Sequence, residues 1–454
     1  MATPVASDQR IELLGTVELL HEHLTTSLCQ TVFQQTRTTE RERQWSLAAL
    51  ASFWTEVILR APPSLTQALQ EAALGNGSGW PHVEASPEAF FQRCQSLNWR
   101  FFANLHEAFV TQVLPQAQPV YASPLQAVRE RFGEVWIVDG SRLDAVAKRL
   151  KLLWDVRAQG LPGSLTAFYD LYRGIVRHLA FNADAAAAEL PRATAALAQV
   201  PKGPLLLGDR LYGVGAFFSA LSARGLFGLC RRHGGQSWRW LRDLSKALIA
   251  GGTAWDTLIE IKGTKDIPTQ TLRWLRWRKG RQSLEMLTNV LEPKQLSIRE
   301  ALSLFPWRWK VERVFFDLKE VLHLHRFYTS NPNGVAMQVY ATALVHTALR
   351  VAQGHIAQAV GTEPEEISPA RFFPRMAAAS IGLTWSELAF IEIQLANPGI
   401  DLQKPDWRRC DFAWTTFERI RVEPRKGRRR KRRFCMSRKQ WKSFTHIPGG
   451  KKLT

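Results

Sequence analysis

The stretch EVWIVDG, residues 134–140, is a short and almost wholly apolar run that stops at Asp139 and Gly140. A run of this length, rich in Val and Ile with turn formers behind it, predicts a buried central strand. Downstream, SLTAFYDLY (164–172) and GIVRHLAFN (174–182) predict two more strands joined near Arg173–Gly174. An alanine-rich helix is expected at 183–199, then a second apolar strand, PLLLGD (204–209), ending at Asp209. GVGAFFSALSARG (213–225) reads as a helix and LFGLCRR (226–232) as a strand.

Three strands, helix, strand, helix, strand is an α/β order with an antiparallel start. It is the order of ribonuclease-H-like (retroviral-integrase-like) folds. Working outward, residues 9–115 show helical periodicity, as in IELLGTVELLHEHL, with breaks at 61–64 and 75–78. A Pro- and Gln-rich connection at 115–124 separates this part from the strands. Short Trp- and Arg-rich segments, QSWRWLRDL and QTLRWLRWRKGR, interrupt the pattern at 233–300. Helix is expected to return at about 307–325 and 333–354. The expected division is therefore a helical N-terminal domain at 1–120, an α/β core at 125–232 and 301–355, a β insertion at 233–300, and a C-terminal region at 356–454 with a basic tail.

The 454 residues carry a formal charge of +20, which points to a polyanionic partner. The charge is concentrated: 18 Lys and Arg against 5 Asp and Glu in 401–454, and 19 against 8 in 201–310. Concentrated basic regions suggest a binding surface, whereas uniform basicity would suggest only solubility. The opening MATPVASDQR has neither an early basic region nor an apolar run, so no signal peptide is expected. The most apolar long segment, near 334–353, is interrupted by Gln338, His346 and Arg350 and reads as a buried helix, not a membrane span. Cysteines 29, 94, 230, 410 and 435 form no CxxC pair; they fit reduced thiols and give no zinc-site signal.

Asp139 and Asp209 both follow apolar strands. Adjacent strands could bring the two carboxylates within reach of one metal ion, and their hard oxygens suit magnesium or manganese. An Asp behind a strand is more often a turn former or helix cap, so the pair alone does not decide. The third element does. In FPWRWKVERVFFDLKEVLHLH (305–325), Arg308, Glu312 and Lys319 are spaced i, i+4, i+11. On an α-helix these fall within roughly 40° of one another. Val311, Val314, Phe315, Leu318 and Leu322 supply a stripe to dock that helix. The competing reading is a solvated ion-pair ladder.

These residues resemble the DDE transposases of bacterial insertion sequences, specifically the insertion-sequence-four group, whose signature is Tyr-x2-Arg-x3-Glu-x6-Lys. Here the signature reads Phe305-x2-Arg308-x3-Glu312-x6-Lys319. VDGS around Asp139 and GDRLYG around Asp209 look like that family's first two acidic motifs, in the same order. The resemblance covers roughly 130–350, with an inserted strand-rich domain between the second and third acids.

The resemblance implies that Asp139, Asp209 and Glu312 are catalytic and hold two Mg2+ or Mn2+ ions. Cleavage at transposon ends would be followed by strand transfer into target DNA. Arg308 and Lys319 would contact phosphates. Phe305 departs from the family's Tyr, keeping an aromatic face but losing the hydroxyl. Trp238, Trp240, Trp255, Trp274 and Trp277 are available to stack on bases. Arg273, Arg276, Arg278 and Lys279 suit backbone contact in the insertion, and Arg428, Arg429 and Arg430 suit general DNA attraction. The implied partner is double-stranded DNA (terminal inverted repeats and target), bound by a homodimer in the bacterial cytoplasm, at the nucleoid, with no membrane role. The alternatives are a nuclease of the same fold without strand transfer, and a domesticated DNA-binding protein.

Overall fold

The computed structural model describes residues 24, 26–36, 43–74, 80–117, 126–143, 163–185, 187–265, 267–360, 364 and 367–374. Five helices come first: α1 (Thr26–Thr36), α2 (Leu47–Arg60), α3 (Leu65–Leu74), α4 (Pro87–Ser96) and α5 (Arg100–Val113). Their boundaries follow local chemistry. The Ser46 hydroxyl accepts from the Ala49 amide and the Ser86 hydroxyl from the Ala89 amide, each at the start of a helix. α2 stops at Ala61, which is left-handed at φ 46° ahead of Pro62 and Pro63, where the sequence predicts a break.

After α6 (Gln126–Phe132) the chain enters a sheet with β1 (Val135–Arg142), β2 (Ser164–Asp170) and β3 (Ile175–Asn182). Then come α7 (Glu189–Ala196), β4 (Leu205–Gly208), α8 (Gly215–Ala223) and β5 (Phe227–Arg231). The predicted order of elements is observed, in a mixed α/β architecture. α7 begins later than the expected 183, because the Asn182 side chain accepts from the Asp184 amide at 2.8 Å and prolongs the turn. Four strands follow: β6 (Trp238–Ile249), β7 (Gly252–Ile261), β8 (Gln270–Lys279) and β9 (Gln282–Thr288).

All nine strands lie in one sheet, in the order β3-β2-β1-β4-β5-β9-β8-β7-β6. β1 runs antiparallel to β2 and parallel to β4, and β5 is antiparallel to β9. The residues of 233–300 thus continue the sheet through the β5–β9 pairing. β6 forms its outer edge.

Side chains alternate across the strands. Val135, Ile137, Leu205 and Leu207 face one core, together with the N-terminal helices and α11 (Pro332–Val360), the last long helix. Trp136, Val138 and Leu206 face the other, with Phe217, Phe218 and Leu221 of α8 and Ala193 of α7. Helices on both faces explain why β1 and β4 read as unbroken apolar runs.

The segment carrying the third motif is not the continuous α-helix expected at 307–325. It opens after α9 (Ile298–Leu304) as a 3-10 turn, Phe305–Trp309, that contains Pro306. It becomes α10 (Lys310–Phe316) and then widens into a π turn, Asp317–Val321, in which the Leu322 amide donates to the Asp317 carbonyl at 2.9 Å. His323, at φ 56°, ends it.

Candidate active site at the sheet end

The β1–β4 register pairs Ile137 with Leu207. Asp139 and Asp209 each lie two residues further on. By alternation both belong to the face that receives α10. β1 does not stop at Asp139, as its apolar run suggests. It continues to Arg142 because β2 keeps pairing with it, Asp139 opposite Ala167 and Arg142 opposite Ser164. The β4 side falls away instead, and the Asp209 carboxylate accepts from the Leu211 amide at 2.7 Å as that chain turns.

Arg308 reaches Asp139 from the 3-10 turn, Nη1 to Oδ2 at 3.5 Å, and Glu312 at 4.0 Å through Nη2. Its guanidinium stacks on Trp309 at 4.7 Å. Lys319, in the π turn, donates to the Ser141 hydroxyl at 2.7 Å and to the Arg142 carbonyl. Both cations of the third motif therefore end on β1, on either side of Gly140. Among the described residues, no three His, Cys, Asp or Glu side chains stand close enough to hold a metal ion as they are. Asp139 and Asp209 share the sheet end; Glu312 meets Asp139 through Arg308.

A fourth carboxylate, absent from the sequence reading, lies at the same end. The Glu189 carboxyl sits so close to Gly140 that a Cβ there would be 2.2 Å from its carboxyl carbon. The buried Tyr212 hydroxyl donates to it at 2.5 Å.

Burial pushes the Asp139 carboxyl up to about 7; the nearby charges of Asp209 and Glu189 push the same way, and Arg308 opposes them. Burial also raises Glu189, with Asp209 adding to the effect and the Tyr212 hydrogen bond opposing it. A carboxyl whose folded pKa exceeds its unfolded value favours folding while protonated, and that advantage is lost as pH rises through the folded pKa. The expected result is that the metal-free protein loses stability between about pH 4 and 7 relative to Asp139→Asn. Thermal melts of both proteins across that range check this; parallel curves would remove the coupling.

Other expected contact residues fare differently. Phe305 is buried, 7% exposed, in the core beneath the sheet, so it offers no stacking face; Trp309, beside Arg308, is 36% exposed. Arg273 is also not at the surface. It is fully buried, forked onto Asp256 (3.1 and 2.5 Å), and it donates to the Val290 and Leu296 carbonyls. With its donors satisfied internally it cannot serve as a DNA contact. Arg276 is half-buried against Trp274 at 4.4 Å and donates to Thr257, while Arg278 and Lys279 are exposed. Trp274 and Trp277 are buried, Trp255 is half-buried, and Trp238 and Trp240 on β6 are exposed. Arg428, Arg429 and Arg430 lie outside the described residues. No helix among the described residues is long and apolar enough to cross a membrane.

Residues 131–348 match the family model of the transposase DDE domain. No curated protein matches the chain. Among solved structures, a cryo-EM structure of the piggyBac transposase synaptic complex with hairpin DNA is similar over 90% of this chain and 85% of that one, at 7% identity and a TM-score of 0.34.

Proposed function

We propose that this chain, whose residues 131–348 match the transposase DDE domain, is a DDE transposase that cuts transposon DNA ends and joins them to target DNA. We assign Asp139, Asp209 and Glu312 as its metal-holding acids. The order β3-β2-β1-β4-β5 with helices on both faces supports a ribonuclease-H-like core. The Phe305-x2-Arg308-x3-Glu312-x6-Lys319 spacing supports the insertion-sequence-four group.

One observation carries the reading. Arg308 and Lys319, spaced eleven residues apart in sequence, both land on β1, at Asp139 and Ser141. A solvated ion-pair ladder would have no reason to dock there. The donor set fits a hard divalent cation, Mg2+ or Mn2+, because every assigned ligand is a carboxylate. Burial first, and then the neighbouring Asp209 and Glu189 charges, raise Asp139, and a bound dication would oppose both by favouring the ionised carboxylate. Two such ions, when bound, activate the attacking oxygen and stabilise the leaving one at a phosphodiester.

The chain's own residues set up the rest. Asp139 is held by Arg308 until a cation competes for its oxygens. Lys319, tied to the Ser141 hydroxyl, stands as a point charge for a phosphate entering over the end of β1. The exposed Arg278 and Lys279 and the exposed Trp238 and Trp240 give the outer strands cations and indoles for double-stranded DNA: terminal repeats, target, or both. Paired ends call for two copies of the chain.

The test is incubation of the protein with the element's own ends, pre-cut and uncut, in Mg2+, with nicked, hairpin and joined products resolved. Joined product is expected. Cleavage without joining would sink strand transfer and leave a nuclease.

A further inference from the structure

Arg273 and Arg276 stand three residues apart on β8 and therefore point to opposite faces of the sheet. Arg273 is buried and has a carboxylate, Asp256, for its charge. Arg276 lies on the α8 side, with Leu272 and Trp274, and has a hydroxyl instead. Its Nη2 donates to Thr257 at 3.1 Å, and its Nε is buried without a hydrogen-bond partner. The guanidinium lies 4.4 Å from the Trp274 ring and 5.8 Å from the Trp255 ring. A hydroxyl satisfies one N–H but leaves the positive charge uncompensated.

The strand registers extend this into a row. Lys246 of β6 pairs with Trp255 of β7, Trp255 with Arg276, and Arg276 with Glu285 of β9. Glu285 is taken by Arg232, at 3.1 Å, whose guanidinium lies 4.8 Å from the same Trp274 ring. Two guanidiniums thus share one indole, and the carboxylate beside them offsets one. Lys246 is exposed, and so is Arg278, one row further along the same face. The other end of this face is closed. Gln270 donates to the Gly215 carbonyl of α8 at 2.7 Å, and Ile259, Ile261 and Leu272 share a core with Phe217 and Phe218.

A guanidinium already held by flanking indoles loses little freedom on meeting an anion, and its planar fork suits a phosphate. With a guanidinium over each, Trp255 and Trp274 present charge where stacking on an unpaired base would need a bare ring. The row therefore suits a backbone whose bases are turned away from it.

We propose that this face binds the phosphodiester backbone of double-stranded DNA, with Arg276 as a preorganised fork, Lys246 and Arg278 as flanking cations, and Trp255 as the residue that positions Arg276. This rests on the reading of the chain as a DNA-cutting and DNA-joining enzyme. It gives the indoles of β7 and β8 a different task from base stacking: they hold cations in place.

The test is fluorescence anisotropy of the full chain with a labelled duplex of unrelated sequence, and with one of its single strands, between roughly 50 and 200 mM salt. The proteins are the wild type, Arg276→Ala, Arg276→Lys, Trp255→Leu and Arg239→Ala, each checked for folding by near-ultraviolet circular dichroism. Arg239, paired with Glu260 on the opposite face, is the control. Arg276→Ala is expected to weaken duplex binding by about 10-fold or more at low salt and to reduce the salt slope by about 1. Arg276→Lys should keep the slope, because the charge stays, and lose affinity, because the fork is gone. Trp255→Leu should keep the slope and lose affinity by a smaller factor. Arg239→Ala should match the wild type. If Arg276→Ala fails to fold, Arg276→Lys and Trp255→Leu carry the decision.

Wild-type affinity and slope in the Arg276 and Trp255 variants, with the wild type binding duplex in a salt-dependent way, would overturn the role of this face alone. Tighter binding of the single strand, with the slope lost in Arg276→Ala, would overturn the duplex as its partner. Failure of the wild type to bind either form of DNA would overturn the reading of the chain as a DNA enzyme.

Discussion

Replacing Asp139 by Asn leaves the protein folded and able to bind DNA but lowers cleavage by at least about 10³-fold, roughly 4 kcal/mol of lost transition-state stabilisation. The shape of the side chain is kept and its charge is removed. Arg308 then has no anion on β1, and a dication loses the carboxylate that lies two residues past the last β1–β4 pair. The metal-free variant should also be no less stable than the wild type above pH 7, since it lacks a buried carboxyl that resists ionisation. Loss of cleavage with retained DNA binding, measured by gel shift and product analysis on the same preparations, is the expected pair of outcomes. Cleavage that survives the change would remove Asp139 from the centre, and with it the reading of the β1–β4 register as an active site.

Arg273→Ala has a comparably large effect of a different kind. Removing this guanidinium leaves Asp256, 1% exposed, as an unpaired buried charge and strips a donor from the Val290 and Leu296 carbonyls. Breaking one side of a buried ion pair costs about 3–5 kcal/mol, a large share of the stability of an ordinary domain. Urea denaturation should show the midpoint falling accordingly. Arg278→Ala on the same strand should stay within about 0.5 kcal/mol of wild type. It should instead weaken DNA binding and reduce its salt slope by about 1. If Arg273→Ala left stability unchanged and altered only the salt slope, Arg273 would be a DNA contact after all.

That contrast marks where sequence reading reached and where it stopped. The β1–β5 half of the sheet was legible because β1 and β4 are covered on both faces, which leaves apolar runs with an acid at the end. The strand–strand–strand–helix–strand–helix–strand order followed from the same runs. β8 was not legible at this level. In QTLRWLRWRK both alternating sets contain apolar residues, so period two cannot say which arginine turns inward. The answer depends on Asp256 of β7, a partner seventeen residues away. Phe305 was misjudged for a related reason. The motif fixes an aromatic at that position, but the 3-10 turn at Pro306 directs it into the core and leaves Trp309 outside. Glu189 carried no motif. Its only trace was the glycine after Asp139, which reads equally well as a turn former. The close approach that gives that glycine its meaning exists only once α7 has folded back over β1.

The pairing of β5 with β9 also constrains how such a protein could change. A segment inserted as its own module can be lost and the host closes over the gap. Here β5 has β4 on one side and β9 on the other, and its Phe227–Arg231 run is largely buried. A shortened descendant lacking β6–β9 would present that run as a bare, apolar rim, the kind of surface that recruits strands from other molecules. Losing the outer strands would therefore require a new border for the sheet at the same time. The meander and strands β1–β5 are bound to be inherited together.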